Sequence, residues 1–241
     1  MIRTILVVLF VTLFLIVSIP IQLVLVIIKQ FNPWAVKKAS LAIVGWAFKV
    51  VKFLSGTKLT IIGEENVPKD EAVLYVSNHR SIFDIILCYP RVPRPTGFIS
   101  KKEVKKVPIL GYWMMFLDCL FLDRSDIKKG FEMVMTAIDK AKNGISIFIY
   151  PEGTRNKTDE PLLEFHKGSF KIAQRAGCPI VPVVINHSRD VLESHSPRIK
   201  KANVTIEYCK PILMSELSKE DQKNIDDYVK NIIQEVYIKN N

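Results

Sequence analysis

Glycine is scarce and unpatterned in this chain. Its 241 residues hold ten glycines, and none of them forms a G-x-G-x-x-G or Walker A loop, so the cradles that dinucleotides and nucleoside triphosphates need are missing. No G-x-S-x-G elbow is present either. "KGSF" around Ser169 lacks the second glycine, which removes the serine nucleophile of an α/β-hydrolase. The four cysteines (Cys88, Cys119, Cys178, Cys209) show neither metal-like nor paired spacing, which fits a reducing compartment. Outside His79, the histidines (His166, His187, His195) lie in no ligand motif, and one histidine with one carboxylate is too few for a catalytic zinc. Internal repeats, low-complexity tracts and Gly-rich linkers are also missing, so the length suits one sizeable domain with an appended segment.

Charge is missing altogether from Thr4 to Ile28. As a helix rising ~1.5 Å per residue, that run exceeds the ~30 Å hydrocarbon core of a bilayer. No small-x-small cleavage site follows it, which favours a retained anchor over a signal peptide. Pro20 leaves open whether the run crosses the bilayer or bends back within one leaflet. A second apolar stretch, Leu41 to Leu54, follows the break at Asn32-Pro33, with Lys49 and Lys52 on one helical face beside Trp46 and Phe53. That pattern suits a helix lying at the membrane interface, and it also suits an amphipathic core helix. The expected organisation is therefore a two-helix membrane anchor over residues 1–56 and an α/β domain over 57–241. Lysines after the first run (Lys29, Lys37, Lys38) against a single Arg3 before it place the domain on the cytoplasmic face of the cell membrane.

The formal net charge is +10. Residues 91–106 concentrate it in Arg91, Arg94, Lys101, Lys102, Lys105 and Lys106 against Glu103 alone. Such a face attracts polyanions, and beside an anchor the anionic headgroups of membrane lipids are the natural partner. Nucleic acid is excluded: interleaved aromatics are required for it, and the run offers only Phe98.

Seven strand patterns follow the anchor, at 58–63, 72–77, 97–100, 119–122, 145–150, 180–185 and 203–208, separated by helical patterns. The clearest helix starts at Ser125-Asp126, places Ile127, Phe131, Val134, Ile138 and Ala141 on one face, and stops at Asn143-Gly144. Residues 168–177 read as a short helix ending in glycine. The C-terminal helix is expected to bury Ile225, Val229, Ile232 and Val236. The predicted fold class is α/β: a mixed, largely parallel sheet flanked by helices, with the N-terminal membrane-associated two-helix segment.

Two polar motifs, "SNHRSIFD" and "PEGTR", fall just past predicted strands, where ligand sites of α/β sheets collect. Five residues turn an ideal helix by roughly 500°. His79 and Asp84 therefore touch only if the histidine lies in the strand-to-helix turn and the aspartate in the first helical turns. An aspartate on one imidazole nitrogen fixes the tautomer and raises basicity at the other, which makes a general base. With no resident nucleophile, the substrate must supply one, and a hydroxyl attacking an activated acyl group would serve. In "PEGTR", Arg155 offers a planar fork for phosphate oxygens, Gly153 lets backbone N–H groups approach, and Glu152 is expected to hold the loop or Arg155. Lys167 precedes a helix start.

These blocks together resemble the glycerolipid acyltransferases, specifically the 1-acyl-sn-glycerol-3-phosphate (lysophosphatidate) acyltransferases. "NHRSIFD" resembles the family's N-H-x-x-x-x-D block. "FISKKEVKKVPILG" with "FLDR" resembles its second block, "PEGTR" its third, "PIVPVVI" its fourth, and "EFHKGSF" its K-G-[AS]-F segment. The similarity runs over roughly residues 57–190 in the family's order. Val104 and His166 depart from the usual residues. The resemblance implies His79 as base and Asp84 as its orienting partner. It implies Asn78, Arg124, Glu152, Gly153, Thr154 and Arg155 around the acceptor's glycerol phosphate, with Lys101 or Lys102 and Lys167 adding charge. Pro182 would be a packing residue on the acyl-donor side. The implied reaction moves a fatty acyl chain from acyl-CoA or acyl carrier protein to the sn-2 hydroxyl of lysophosphatidic acid, without metal or organic cofactor. Another lysophospholipid or a lyso-aminolipid remains open as acceptor. Residues 107–122 would line an acyl tunnel or simply fill the core.

Overall fold

Seven strands form where the β-branched and aromatic runs lie between turn residues, and the computed structural model describes all 241 residues of the chain. They are β1 (Lys58–Ile62), β2 (Leu74–Ser77), β3 (Thr96–Lys101), β4 (Leu120–Leu122), β5 (Ser146–Ile149), β6 (Ile180–Asn186) and β7 (Asn203–Tyr208). They make one sheet in the order β1-β7-β6-β2-β5-β3-β4, parallel throughout except between β6 and β7. The helices are α1 (Ile2–Phe31), α2 (Pro33–Ser55), α3 (Phe83–Cys88), α4 (Leu110–Phe116), α5 (Ile127–Lys142), α6 (Lys171–Ala176), α7 (Lys219–Lys223) and α8 (Ile225–Lys239).

Strand alternation sorts the core into two layers. Tyr75, Phe148, Val181, Val183 and Ile206 face α2, α3 and α4, while Leu74, Val76, Ile147, Ile149 and Val184 face α5, α6 and α8. The chain is therefore a helix–sheet–helix sandwich.

Asn32 breaks the N-terminal helix and restarts it. Its side chain accepts from Ala35 N at 2.9 Å, and Pro33 occupies the first helical turn, where a missing N–H costs nothing. Phe10 and Phe14 of α1 then meet Trp46 of α2, so the two form a hairpin. Pro20 leaves α1 one continuous helix, about 45 Å at the standard rise. It is long and apolar enough to cross a membrane. It exposes Ile2, Ile5, Val8, Ile16, Leu23 and Ile27, yet it is tied to the domain. Thr4 Oγ1 accepts from Ile199 N at 2.9 Å, Ser18 Oγ accepts from Trp113 Nε1 at 2.9 Å, and Gln22 Nε2 donates to Ile109 O at 3.0 Å. The expected division at residue 56 separates sequence character rather than packing. Val36, Val44 and Val51 of α2 share a core with Tyr75 and Phe98.

Helix faces differ from expectation by small rotations. In α8, Ile233 and Tyr237 are buried with Ile225 and Val229, in place of Ile232 and Val236. In α5, Met133, Ala137, Ile138 and Ala141 are buried, whereas Ile127 and Phe131 are 92% and 59% exposed. Of residues 107–122, Trp113, Phe116 and Leu117 fill the core rather than a tunnel.

Candidate active site

The parallel pairing of β2 with β5 brings the two motifs together. Val76 sits opposite Ile149, so the turns that follow these strands leave the same edge of the sheet. The backbone of His79 is then held on one side by the second motif and on the other by the residue that follows it. Its N–H donates to Glu152 Oε1 at 2.7 Å, and its carbonyl accepts from Asn156 N at 2.7 Å.

His79 lies in the turn after β2 and Asp84 in the first turn of α3, the one arrangement that lets a five-residue spacing close. His79 Nδ1 is 2.8 Å from Asp84 Oδ2. The same oxygen accepts from Arg80 N and Ser81 N, each at 2.8 Å, so backbone donors fix the carboxylate before the imidazole uses it. Tyr150 stacks on the imidazole at 4.1 Å with planes 19° apart, which leaves the ring little freedom to turn. A Nδ1–H bonded to Asp84 makes Nε2 the lone-pair nitrogen.

The ring opens onto a cleft of about 480 Å³, which Lys101, Arg124, Gly153, Thr154 and Arg155 also line. These come from the carboxyl ends of β3, β4 and β5. Its apolar wall includes Ile85, Ile99, Leu122, Met133 and Val134, Leu122 being the one contribution from residues 107–122. Gly153 is required twice over: its φ is +67°, and a Cβ there would lie 2.9 Å from His166 Nε2.

Five expected substrate contacts lie elsewhere. Asn78 is buried, with its amide spent on β6: Nδ2 donates to Ile185 O at 2.8 Å and Oδ1 accepts from Ile185 N at 2.9 Å. Glu152 is a buried brace between loops, because its second oxygen accepts from Leu163 N at 2.9 Å. Burial pushes its carboxyl above the ordinary range, and the Leu163 and His79 N–H groups pull the other way. Lys102 turns from the cleft to Asp123, 2.8 Å away. That contact holds the Asp123 carboxyl well below its usual range. Lys167 pairs with Asp226 at 3.6 Å and lies in a 3-10 turn, Lys167–Phe170, ahead of α6, a helix too short to offer an anion site. Pro182 is buried in β6 opposite Val76, where it packs within the sheet and does not reach the cleft.

Glu193 carries no motif and is central. Its Oε1 accepts from Arg155 Nη1 at 2.9 Å and from Ile82 N at 2.9 Å, and its Oε2 accepts from Ser81 Oγ at 2.5 Å. Arg155 is thus held by Glu193 and not by Glu152. Arg80 is the second unforeseen brace, donating to Thr158 O at 2.5 Å, Glu160 O at 3.1 Å and Tyr237 Oη at 3.2 Å. Nowhere do three or more His, Cys, Asp or Glu side chains gather as metal ligands would.

Comparison with known proteins identifies the family. The family described as Acyltransferase matches residues 58–186. The 1-acyl-sn-glycerol-3-phosphate acyltransferase of Saccharomyces cerevisiae is 31% identical over 175 residues, which cover 72% of this chain and 57% of that protein. The protein of the same name from Cocos nucifera is 31% identical over 185 residues, covering 76% and 58%. The chain thus spans somewhat under three fifths of the length of these relatives. Among solved structures, the 1-acyl-sn-glycerophosphate (LPA) acyltransferase PlsC of Thermotoga maritima superposes with a TM-score of 0.74 at 25% identity, over 98% of this chain and 97% of that one. With the family's match covering more than half of its residues and a histidine–aspartate pair at the head of its cleft, this chain belongs to the acyltransferase family.

Proposed function

We propose that the protein transfers a fatty acyl chain from acyl-CoA or acyl carrier protein to the sn-2 hydroxyl of 1-acyl-sn-glycerol 3-phosphate, giving phosphatidic acid. The observation that carries this reading is the 2.8 Å His79–Asp84 contact in a cleft shared with Lys101, Arg124 and Arg155. The cations would hold the acceptor's phosphate. That would bring the hydroxyl to the Nε2 of His79, which takes its proton as the oxygen attacks the thioester carbonyl. The tetrahedral intermediate collapses with the carbon–sulfur bond breaking, and the proton passes to the departing thiolate. No acyl-enzyme is formed. The relatives' names support lysophosphatidate as acceptor, although the same cations would hold the phosphate of another lysophospholipid.

The apolar hairpin supports a seat on the cell membrane, and Lys29, Lys37 and Lys38 after its first run favour the cytoplasmic leaflet. Contacts at Thr4, Ser18 and Gln22 hold α1 alongside the domain, which favours lying in one leaflet over crossing the bilayer. Assay of purified protein with 1-acylglycerol 3-phosphate, other lysolipids and both donor types tests the reaction. His79→Ala is expected to lower turnover by about 10²–10⁴-fold, and Asp84→Asn by a smaller factor. Near-normal turnover in the alanine variant would remove the base assignment.

A further inference from the structure

At the opposite edge of the sheet lies a second groove. It runs along α2 against the Pro90–Pro95 loop, with a volume of about 610 Å³. Pro95 precedes β3 and Lys101 ends it, so these two lining residues lie roughly 20 Å apart at the rise of a strand. Its α2 side is one helical stripe that includes Trp34, Lys38, Trp46 and Lys49, and Lys69 and Arg94 face it.

The charge here is uncompensated. No acidic residue lines the groove, and none of its four cations makes an ion pair. The catalytic cleft is only partly compensated by comparison: Arg155 sits on Glu193, whereas Lys101 and Arg124 make no ion pair either. Arg94 is the extreme case. Its Nε and Nη1 are buried without a hydrogen-bond partner. A Cβ on Gly144 would come within 3.3 Å of Arg94 Nη2 and 4.0 Å of Trp34 Cη2, so guanidinium and indole converge on one spot. Nε and Nη1 lie beneath the surface, which leaves Nη2, accessible and also without a hydrogen-bond partner, as the nitrogen that meets a phosphate oxygen in the groove.

Ala42 and Trp46 also line a third hollow, of about 560 Å³ between α1 and α2. Apart from Ser18 its other walls are apolar, among them Phe10, Leu13, Phe14, Val17 and Ile43. The cationic groove thus adjoins a hydrocarbon-lined one along α2, with Ala42 and Trp46 as their shared wall. We propose that the two together bind one anionic glycerophospholipid of the surrounding bilayer, its phosphate on Arg94 and Lys38 and an acyl chain along Phe10 and Phe14. A soluble phosphate fills only the first half, and a zwitterionic lipid brings a cation into a cationic groove. The indoles of Trp34 and Trp46 suit the depth at which the two halves meet. This site does not rest on the proposed reaction.

Native mass spectrometry of the full chain released from detergent micelles, titrated separately with phosphatidylglycerol and phosphatidylcholine, reads it directly. One phosphatidylglycerol should be retained per chain, in preference to phosphatidylcholine. Arg94→Gln with Lys38→Gln should lower that retention by about fivefold per charge removed. The exposed pair Lys38→Gln with Lys49→Gln, which leaves the buried Arg94 in place, should act in the same direction. Ala42→Phe, which blocks the junction with every charge kept, should also weaken retention. A distant control, Lys210→Gln with Lys219→Gln, should not. Equal retention of the two lipids, the same loss in the control, or no loss in either groove variant would overturn the site. Complete displacement by millimolar glycerol 3-phosphate would overturn it in favour of a soluble anion.

Discussion

Arg155 Nη1 donates to Glu193 Oε1 at 2.9 Å, and that carboxylate also carries Ser81 and Ile82 of the catalytic turn. Glu193 therefore couples the arginine of one motif to the turn that carries the histidine of the other. Glu193→Ala should free Arg155 and raise KM for lysophosphatidate about tenfold, on the scale of a charge-assisted hydrogen bond, with a smaller change in kcat. Glu193→Gln keeps an acceptor oxygen and should recover most of the loss. Steady-state kinetics with the acceptor varied checks this, and an unchanged KM in the alanine variant would count against the coupling.

Lys101 and Lys102 are adjacent in sequence and divided in structure, Lys101 in the cleft and Lys102 on Asp123. Lys101→Met is expected to raise the acceptor KM about fivefold or more and to flatten its dependence on salt. Lys102→Met should leave KM within about twofold, because a half-exposed ion pair contributes little. The two variants assayed side by side separate the roles.

Asn78 bonds both backbone groups of Ile185. Asn78→Ala would strand a buried N–H and a buried carbonyl, at a cost of about 2–4 kcal/mol of stability. Chemical denaturation should show that loss, while the surviving folded enzyme keeps its acceptor KM.

The thiols should be inert in the native protein. Burial opposes the thiolate, pushing Cys119 up to about 12 and Cys178 and Cys209 up to about 11, with Cys88 well above its ordinary 9.0. At pH 8 this leaves roughly 100- to 1,000-fold less thiolate than in an unfolded chain. Labelling by a thiol reagent should accordingly be slow until denaturant is added. The sign carries over to stability. Unfolded thiols release protons from about pH 9, whereas folded ones hold them, so this contribution is intact below pH 9 and is lost as pH rises toward 12. Urea unfolding at pH 7 and pH 10 reads the difference.

The strands and the dyad were legible because their signals are local. Residues 180–185 are apolar without interruption since both faces of β6 are covered. The spacing of His79 and Asp84 admits contact only across a strand-to-helix turn. Helix faces were legible to within a residue, because Ile232 and Ile233 are both apolar and only the sheet beneath α8 decides which is covered. Ile127 and Phe131 misled for a related reason: the first turns of α5 extend beyond what the sheet covers. Glu193 could not be read at all. It lies 38 residues past Arg155, in a loop whose composition says nothing of the contact. Asn78 misled in the other direction, because its place in the motif reflects a bond to β6 and not to a ligand.

The hydroxyl of Ser18 and the amide of Gln22, polar groups in an otherwise oily helix, are spent on Trp113 and Ile109 of the domain. A shortened chain beginning after Phe31, made in the hope of a water-soluble enzyme, would lose both partners and uncover the ring of Trp113 now stacked on Phe14. Such a fragment would expose a fresh sticky surface in place of the one removed, and purification is better served by surfactant than by scissors.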